Sequence, residues 1–213
     1  MKESIDNLQQ SYELSRQTIA GVVNPLHVAA LFEQEHVAYV LIGGHMLSYY
    51  TGVSRATIDV DFIIKNADFA KATRLIQKNY AQLSLSDKVY HVTFNVQDTV
   101  TAEPERIDLV KDGFALFREI VNHSSLTRRS GEYTVRIPTR EAAMALKFAA
   151  SISPNRGDEN KPVDNADLIR LIKTAADIDN KALQHLGELV YLGGGSELIA
   201  VVADVLAGKP VNL

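Results

Sequence analysis

"VLIGGHMLSYYTGVSRATIDVDFII", residues 40–64, carries two glycines and two aspartates inside one apolar segment. The glycines are Gly43 and Gly44, and the aspartates are Asp59 and Asp61. Burying a charged carboxylate costs free energy unless a second charge, a hydrogen bond or a metal compensates it. Two carboxylates in an apolar segment therefore need a structural or a chemical reason.

The apolar residues of this segment predict two buried strands, over 38–42 and 57–64, with a short helix over 45–50 between them. Successive side chains of a strand point to opposite faces, so Asp59 and Asp61 share one face. Their Cα atoms are expected to lie about 6.5–7 Å apart. At that spacing the two carboxylates repel each other and raise each other's pKa, unless a cation lies between them.

Such a pair has two interpretations. Hard oxygen ligands select Mg²⁺ or Mn²⁺, and a carboxylate pair that holds metal serves in-line phosphoryl transfer. Alternatively, the aspartates end a strand and are solvated or paired with Arg55. Gly43 and Gly44 favour the first interpretation, since small residues at a helix N-terminus let backbone N–H groups approach phosphates, although they also suit a simple turn. Asp108, inside the apolar segment "RIDLV", adds a third carboxylate if the two strands are neighbours.

Composition and charge narrow the class of protein. The 213 residues are 46% hydrophobic and 23% charged, which is typical of a globular chain with a sizeable core. The net charge of −4 disfavours a broadly basic nucleic-acid binder. The absence of cysteine excludes disulfides and thiolate metal sites. The sequence shows no signal peptide and no apolar run long enough for a membrane span, so we expect a cytoplasmic protein without a membrane partner.

Periodicity along the chain predicts three parts. Residues 1–22 form a helix or an arm, and residues 23–138 form an α/β domain in which Asn24 and Pro25 begin a helix. Residues 139–213 form a helical domain of about four helices. The elements predicted in the α/β domain, besides the two strands above, are strands over 89–96, 106–110 and 133–137 and helices over 66–79 and 114–121. Those predicted in the helical domain are helices over 139–151, 164–176, 180–190 and 196–207.

The motif set resembles a known family. Gly-Gly, a short helix, Arg-x-Thr-x-Asp-Val-Asp and a later Ile-Asp-Leu resemble the nucleotidyltransferase superfamily, which has the polymerase-β-like fold. More narrowly, residues 24–176 resemble the bacterial AbiEii-type and related minimal nucleotidyltransferases, several of which are toxins of toxin–antitoxin pairs. The resemblance implies the fold class α+β: a mixed β-sheet nucleotidyltransferase core flanked by helices, then a C-terminal helical bundle that completes the cleft.

The resemblance also assigns roles to the residues of the opening motif. Gly43 and Gly44 would contact the triphosphate of a nucleotide such as ATP. Asp59 and Asp61 would bind Mg²⁺ or Mn²⁺. Asp108 would complete the metal site and help to activate the acceptor hydroxyl.

Further nucleotide contacts follow from the same resemblance. Arg55 and Thr57 match the pattern just before the first aspartate. "IPTREAAMALKFAAS" and "VDNADLIRLI" match helices that carry a lysine and an aspartate facing the nucleotide, here Lys147 and Asp164. Val163 departs from the pattern, since relatives carry a basic residue there. An alternative for Lys147 is that it extends past its apolar neighbours into solvent.

The predicted function is transfer of a nucleoside monophosphate from a nucleoside triphosphate to the hydroxyl of tRNA, a protein or a small molecule, with an antitoxin as a possible protein partner. One alternative is a non-catalytic nucleotide- or partner-binding module with the same fold. Another is a metal-dependent phosphodiesterase or nuclease, which leaves the glycine pair unexplained. His45 either contacts a phosphate or packs in the core. The basic stretch 126–147 is either an RNA contact or a solvated loop.

Overall fold

The computed structural model describes residues 3–18, 23–53, 57, 59–96 and 106–211. The chain divides into two compact units, with the boundary between Pro138 and Thr139. The elements of the first unit are, in chain order, α1 (Ile5–Thr18), α2 (Pro25–Gln34), β1 (Tyr39–Leu41), α3 (Gly43–Thr51), β2 (Asp59–Ile64), a 3-10 turn (Asn66–Asp68), α4 (Phe69–Asn79), β3 (Leu83–Asp87), β4 (His91–Val96), β5 (Arg106–Lys111), α5 (Ala115–Asn122), β6 (Ser125–Ser130) and β7 (Tyr133–Pro138).

A five-stranded sheet forms the centre of this unit, in the order β1-β2-β5-β4-β3. β2 and β5 run parallel, while the other neighbouring strands are antiparallel, so the sheet is mixed. The fold class predicted from the sequence is therefore confirmed. The parallel pair matters most for function, because it aligns the strand that carries Asp59 and Asp61 with the strand that carries Asp108.

Aromatic packing holds one side of the sheet in place. Val60 and Phe62 of β2 are fully buried on the face opposite the aspartates. The ring of Phe62 lies 5.3 Å from that of Phe32 in α2 and 5.7 Å from that of Tyr39 in β1, with near edge-to-face geometry in both pairs. Such pairs stabilise a core beyond their area burial. This packing leaves the other face of β2 to carry its two charged side chains.

Strand membership differs from the sequence-based prediction in two places. Residues 133–137 form a strand of the α/β domain as predicted, but β7 pairs with β6 in a separate two-stranded sheet. The interpretation of the basic stretch 126–147 as a solvated loop is wrong, because this stretch spans β6, β7 and the first part of α6. β3 was not predicted, because it is an edge strand in which Leu83 is the one buried residue and the other four are serines, an aspartate and an exposed leucine.

The observed helix starts show where local sequence signals predicted the start of a helix correctly and where they did not. Asn24 accepts a hydrogen bond from the N–H of Leu26 at 2.9 Å, with Pro25 at the first helical position, as predicted. The helix predicted over 66–79 begins later than expected, because Asn66 opens a 3-10 turn and α4 begins at Phe69. The N–H of Asn66 donates to the carboxylate of Asp112, so this turn is held by a distant residue.

The second unit is helical, as predicted for this part of the chain. Its elements are α6 (Arg140–Ile152), α7 (Lys161–Lys173), α8 (Asn180–Glu188) and α9 (Gly194–Leu206). Thr139 caps α6 through the N–H of Ala142. The last helix was predicted from residue 196, but α9 begins two residues earlier, at Gly194. Glycine at this start lets α8 pack closely against α9, since a Cβ at Gly195 would lie 2.3 Å from the carbonyl oxygen of Gln184. Across the described residues, no helix combines the length and the apolar character that crossing a membrane requires.

Candidate active site

Three carboxylates share one face of the central sheet. Asp59 and Asp61 point the same way because they are two residues apart in β2. The parallel register places Asp61 opposite Asp108 and Asp59 opposite Arg106. Asp108 is buried, whereas Asp59 keeps about 39% of its side chain exposed. The three carboxylates predicted from the sequence are therefore brought together on one face of the sheet.

Gly43 brings the first turn of α3 directly against Asp61. Its φ angle is +71°, which L residues with a side chain rarely adopt. A Cβ at this position would lie 2.0 Å from Asp61 Oδ2 and 2.9 Å from Asp61 Cγ. The N–H of Ile42 also donates to the backbone oxygen of Asp61 at 2.9 Å. Glycine is therefore required here on two counts, the backbone angle and the space that the carboxylate takes.

Gly44 makes a similar close approach to the residue just before β2. A Cβ on Gly44 would lie 2.9 Å from the Oγ1 atom of Thr57. The backbone N–H of Thr57 donates a hydrogen bond to the hydroxyl oxygen of Ser15 in α1, at 2.9 Å. The glycine pair thus packs the start of α3 against the entry to β2. Its two small residues leave the first N–H groups of α3 without a covering side chain of their own.

Arg106 supplies the positive charge of this face. Its guanidinium contacts Asp108 Oδ2 at 2.9 Å and lies 3.9 Å from Asp59 Oδ1. Burial by itself lowers the pKa of Arg106, but the charges of Asp108, Asp59 and Asp61 outweigh this effect and raise the pKa above its ordinary value. The Nε atom is buried and has no hydrogen-bond partner among the described residues. An arginine therefore supplies a counter-charge beside these carboxylates.

Thr93 of β4 engages the remaining oxygen of Asp108. Its hydroxyl donates to Asp108 Oδ1 at 2.6 Å, across the antiparallel register of β4 and β5. Sequence analysis missed both partners of this carboxylate. Arg106 had a usable signal, since it lies two residues before Asp108 in a predicted strand and so shares its face. Thr93 had none, because its position depends on the register between two separate strands.

The oxygen donors suit a hard divalent cation, although the described side chains do not already form a metal cage. Among the described residues, no group of three or more His, Cys, Asp or Glu side chains is arranged to hold a metal ion. Asp59 and Asp61 offer carboxylate oxygens, the ligand type that Mg²⁺ and Mn²⁺ prefer. Asp108 is committed to Arg106 and Thr93. The ligand chemistry of this face thus suits a divalent cation beside Asp59 and Asp61.

His45 follows the glycine pair and is entirely buried in α3. Neither ring nitrogen has a hydrogen-bond partner within the described part of the chain. Burial lowers the pKa of His45 to about 4, so the ring is neutral at pH 7. Packing, rather than contact with a phosphate, is the interpretation that this structure favours.

The helical unit carries a second charged cluster. The Nζ atom of Lys147 lies 2.9 Å from a carboxylate oxygen of Asp164 and 2.9 Å from one of Asp167. Arg156 contacts the other oxygen of Asp164 at 2.8 Å, and Arg170 lies 3.5 Å from Asp167. Both aspartates are buried. Lys147 therefore does not extend into solvent.

The other predicted site residues fall into two groups. Arg55 lies outside the described residues. Lys147 and Asp164, which the resemblance assigns to the nucleotide, pair with each other inside the helical unit. Asp167, one turn further along the same helix, is also fully buried. The spacing of Asp164 and Asp167 on one helix, three residues apart, is the signal that could have joined them to one lysine.

Comparisons with known proteins identify the fold. No protein-family model matches the sequence, and no curated protein matches it. The structure is similar to that of an antigenic nucleotidyltransferase-like protein from Paracoccidioides brasiliensis, with a TM-score of 0.51 and 14% identity over 95% of this chain and 94% of that chain.

Two further solved structures are similar at lower scores. The antibiotic-resistance factor ANT(2'')-Ia has a TM-score of 0.47 and 13% identity over 96% of each chain. The lincosamide antibiotic adenylyltransferase LnuA has a TM-score of 0.44 and 15% identity over 69% of this chain and 96% of that chain. These two are weaker than the first and carry no conclusion, and at its identity the first identifies a fold rather than an activity. The chain therefore has a nucleotidyltransferase-like fold.

Proposed function

We propose that this protein is a metal-dependent nucleotidyltransferase. One observation carries the proposal: Asp59, Asp61 and Asp108 share one face of neighbouring strands, and Gly43 presses the start of α3 against the middle carboxylate. A face of carboxylates suits divalent cations, and a helix start opened by glycine suits phosphates. The nucleotidyltransferase-like fold agrees with this combination.

In the proposed reaction, the acceptor hydroxyl oxygen bonds to the α-phosphorus of a nucleoside triphosphate, and the bond to the departing pyrophosphate breaks. Asp59 and Asp61 would hold Mg²⁺ or Mn²⁺, which when bound offsets the negative charge of the phosphates. Gly43 and Gly44 would let the N–H groups of α3 approach those phosphates. Asp108 would take the proton that the acceptor hydroxyl loses.

Finer assignments rest on the motif resemblance. Arg55, Thr57, Lys147 and Asp164 are proposed nucleotide contacts. The narrower resemblance to AbiEii-type enzymes supports a toxin with a partner antitoxin as one form of this function. The acceptor classes are tRNA, a protein side chain and a small hydroxylated molecule. We propose the cytoplasm as the location, since intracellular nucleoside triphosphates are the substrate.

A labelling experiment tests the activity and identifies the acceptor class. The protein is incubated with each α-labelled nucleoside triphosphate, Mg²⁺ and a cell extract, and the label is followed into RNA, protein and small molecules. Asp61→Asn is expected to abolish transfer, because the amide keeps the shape of the side chain but loses the negative charge that would bind the metal. Asp87→Asn, an exposed aspartate of β3, is the matched control and is expected to transfer normally. Full activity of the Asp61 variant would refute the site.

One observation favours the alternative, a nucleotide-binding module without turnover. Both oxygens of Asp108 already accept hydrogen bonds, from Thr93 and Arg106, in the arrangement seen here. These contacts tie Asp108 to β4 and to Arg106, a structural role that a module without turnover would also need. Calorimetry distinguishes the two functions: binding of Mg²⁺ and nucleotide without any labelled product would favour the binding module.

A further inference from the structure

Arg106 holds an unusual position for an arginine beside proposed metal ligands. Its guanidinium contacts Asp108 at 2.9 Å and approaches Asp59 to 3.9 Å, on the same face as Asp61. About 42% of the side chain is exposed, so the guanidinium has solvent beside it into which it can move. Its buried Nε atom makes no hydrogen bond with any described residue, so the contact with Asp59 is a charge contact alone.

We propose that Arg106 is a built-in counter-cation, which neutralises the carboxylate face in the metal-free protein and is displaced from Asp108 when a divalent cation binds. This inference rests on the proposed function and adds a positioning residue to it. Like charges that approach one set of carboxylates disfavour each other, so metal and guanidinium compete. Displacement would also free Asp108 Oδ2, the oxygen that Arg106 occupies.

Competition between Arg106 and a metal ion for the carboxylates predicts a different change in metal affinity on removal of Arg106 than a purely structural role does. Removal of an arginine that only supports the fold weakens ligand binding, because the carboxylates lose their order. Removal of a competing cation strengthens metal binding, because the metal no longer displaces a charge. We expect the affinity for Mn²⁺ to rise about tenfold on loss of this half-exposed charge.

The test is calorimetric titration of the full chain with Mn²⁺ alone. Arg106→Met is expected to bind Mn²⁺ about tenfold more tightly than the wild type, and Arg106→Lys, which keeps the charge, is expected to stay close to the wild type. Arg129→Met is the matched control for net charge, since Arg129 is exposed on β6, outside the carboxylate face. Arg106→Gln provides a second neutral variant, with circular dichroism as the check that each variant folds.

A second readout follows the arginine directly. In NMR spectra of the wild type, the Nε–H signal of Arg106 is expected to shift on addition of Mg²⁺, while that of Arg129 stays in place. Unchanged or weaker Mn²⁺ binding by both neutral variants would overturn the inference. If the wild type nevertheless transfers nucleotides and loses this activity in Asp61→Asn, the proposed function stands without it. Absence of metal binding in every variant overturns the inference and the metal site together.

Discussion

Substitution of Gly43 by alanine tests the packing that brings α3 against the carboxylate face. The new Cβ would lie 2.0 Å from Asp61 Oδ2 and 2.9 Å from Asp61 Cγ, so rotation of the carboxylate alone does not relieve the overlap. Alanine at a φ of +71° costs about 1–2 kcal/mol. Forcing Asp61 out of its preferred rotamer adds about 0.5–1.5 kcal/mol. We expect the free energy of unfolding to fall by about 1.5–3.5 kcal/mol.

Gly131, in the turn between β6 and β7, provides the matched control. Its φ is +56°, and a Cβ there would meet nothing within 4 Å, so Gly131→Ala isolates the cost of the backbone angle. Urea unfolding followed by tyrosine fluorescence reports mainly on the first unit, since Tyr191 is the one tyrosine of eight beyond Pro138. Equal losses of stability in the two variants would refute the argument from contact with Asp61. Nucleotide transfer is expected to fall in the Gly43 variant and to persist in the control.

Two further substitutions follow from the buried charges. His45→Phe removes an imidazole whose pKa is lowered from 6.5 to about 4 by burial. The unfolded chain binds a proton at this imidazole more readily than the folded chain, so the wild type loses stability as the pH falls from about 6.5 to 4. The variant has no such loss. In urea unfolding at about pH 4.5, the free energy of unfolding of the variant relative to that of the wild type is therefore expected to be about 2–3 kcal/mol higher than at neutral pH. A gain that does not change with pH would contradict this. Lys147→Met leaves the buried carboxylates of Asp164 and Asp167 with one half-exposed arginine each among the described residues, and is expected to cost about 3 kcal/mol in urea unfolding followed by far-UV circular dichroism, which reports on the helices of the second unit. Lys161→Met, which breaks the pair with the exposed Asp158 just before α7, is the control at about 1 kcal/mol or less, and similar losses in both would contradict the buried network.

Local sequence signals predicted most of the elements. The Asn24–Pro25 helix start, the strand that contains Asp59 and Asp61, and the four helices after Pro138 all follow from short-range chemistry, namely caps, alternation and apolar periodicity. The prediction missed β3, whose sequence "LSLSD" buries one residue. It also left the pairing of β7 with β6 undetermined, because strand pairing depends on partners and not on the strand's own residues.

The sequence by itself determined the two small residues at the start of α3, the shared face of Asp59 and Asp61, and the mixture of strands and helices. Each of these depends on residues that are close in the chain. Only the tertiary structure decided that Asp61 lies opposite Asp108, that Thr93 bonds the latter, and that Arg106 of β5 also approaches Asp59 of β2. Those pairings depend on the register between strands separated by many residues, which no single segment encodes. The three carboxylates were thus legible in the sequence, while their neighbours across the sheet became visible only when the strands were paired.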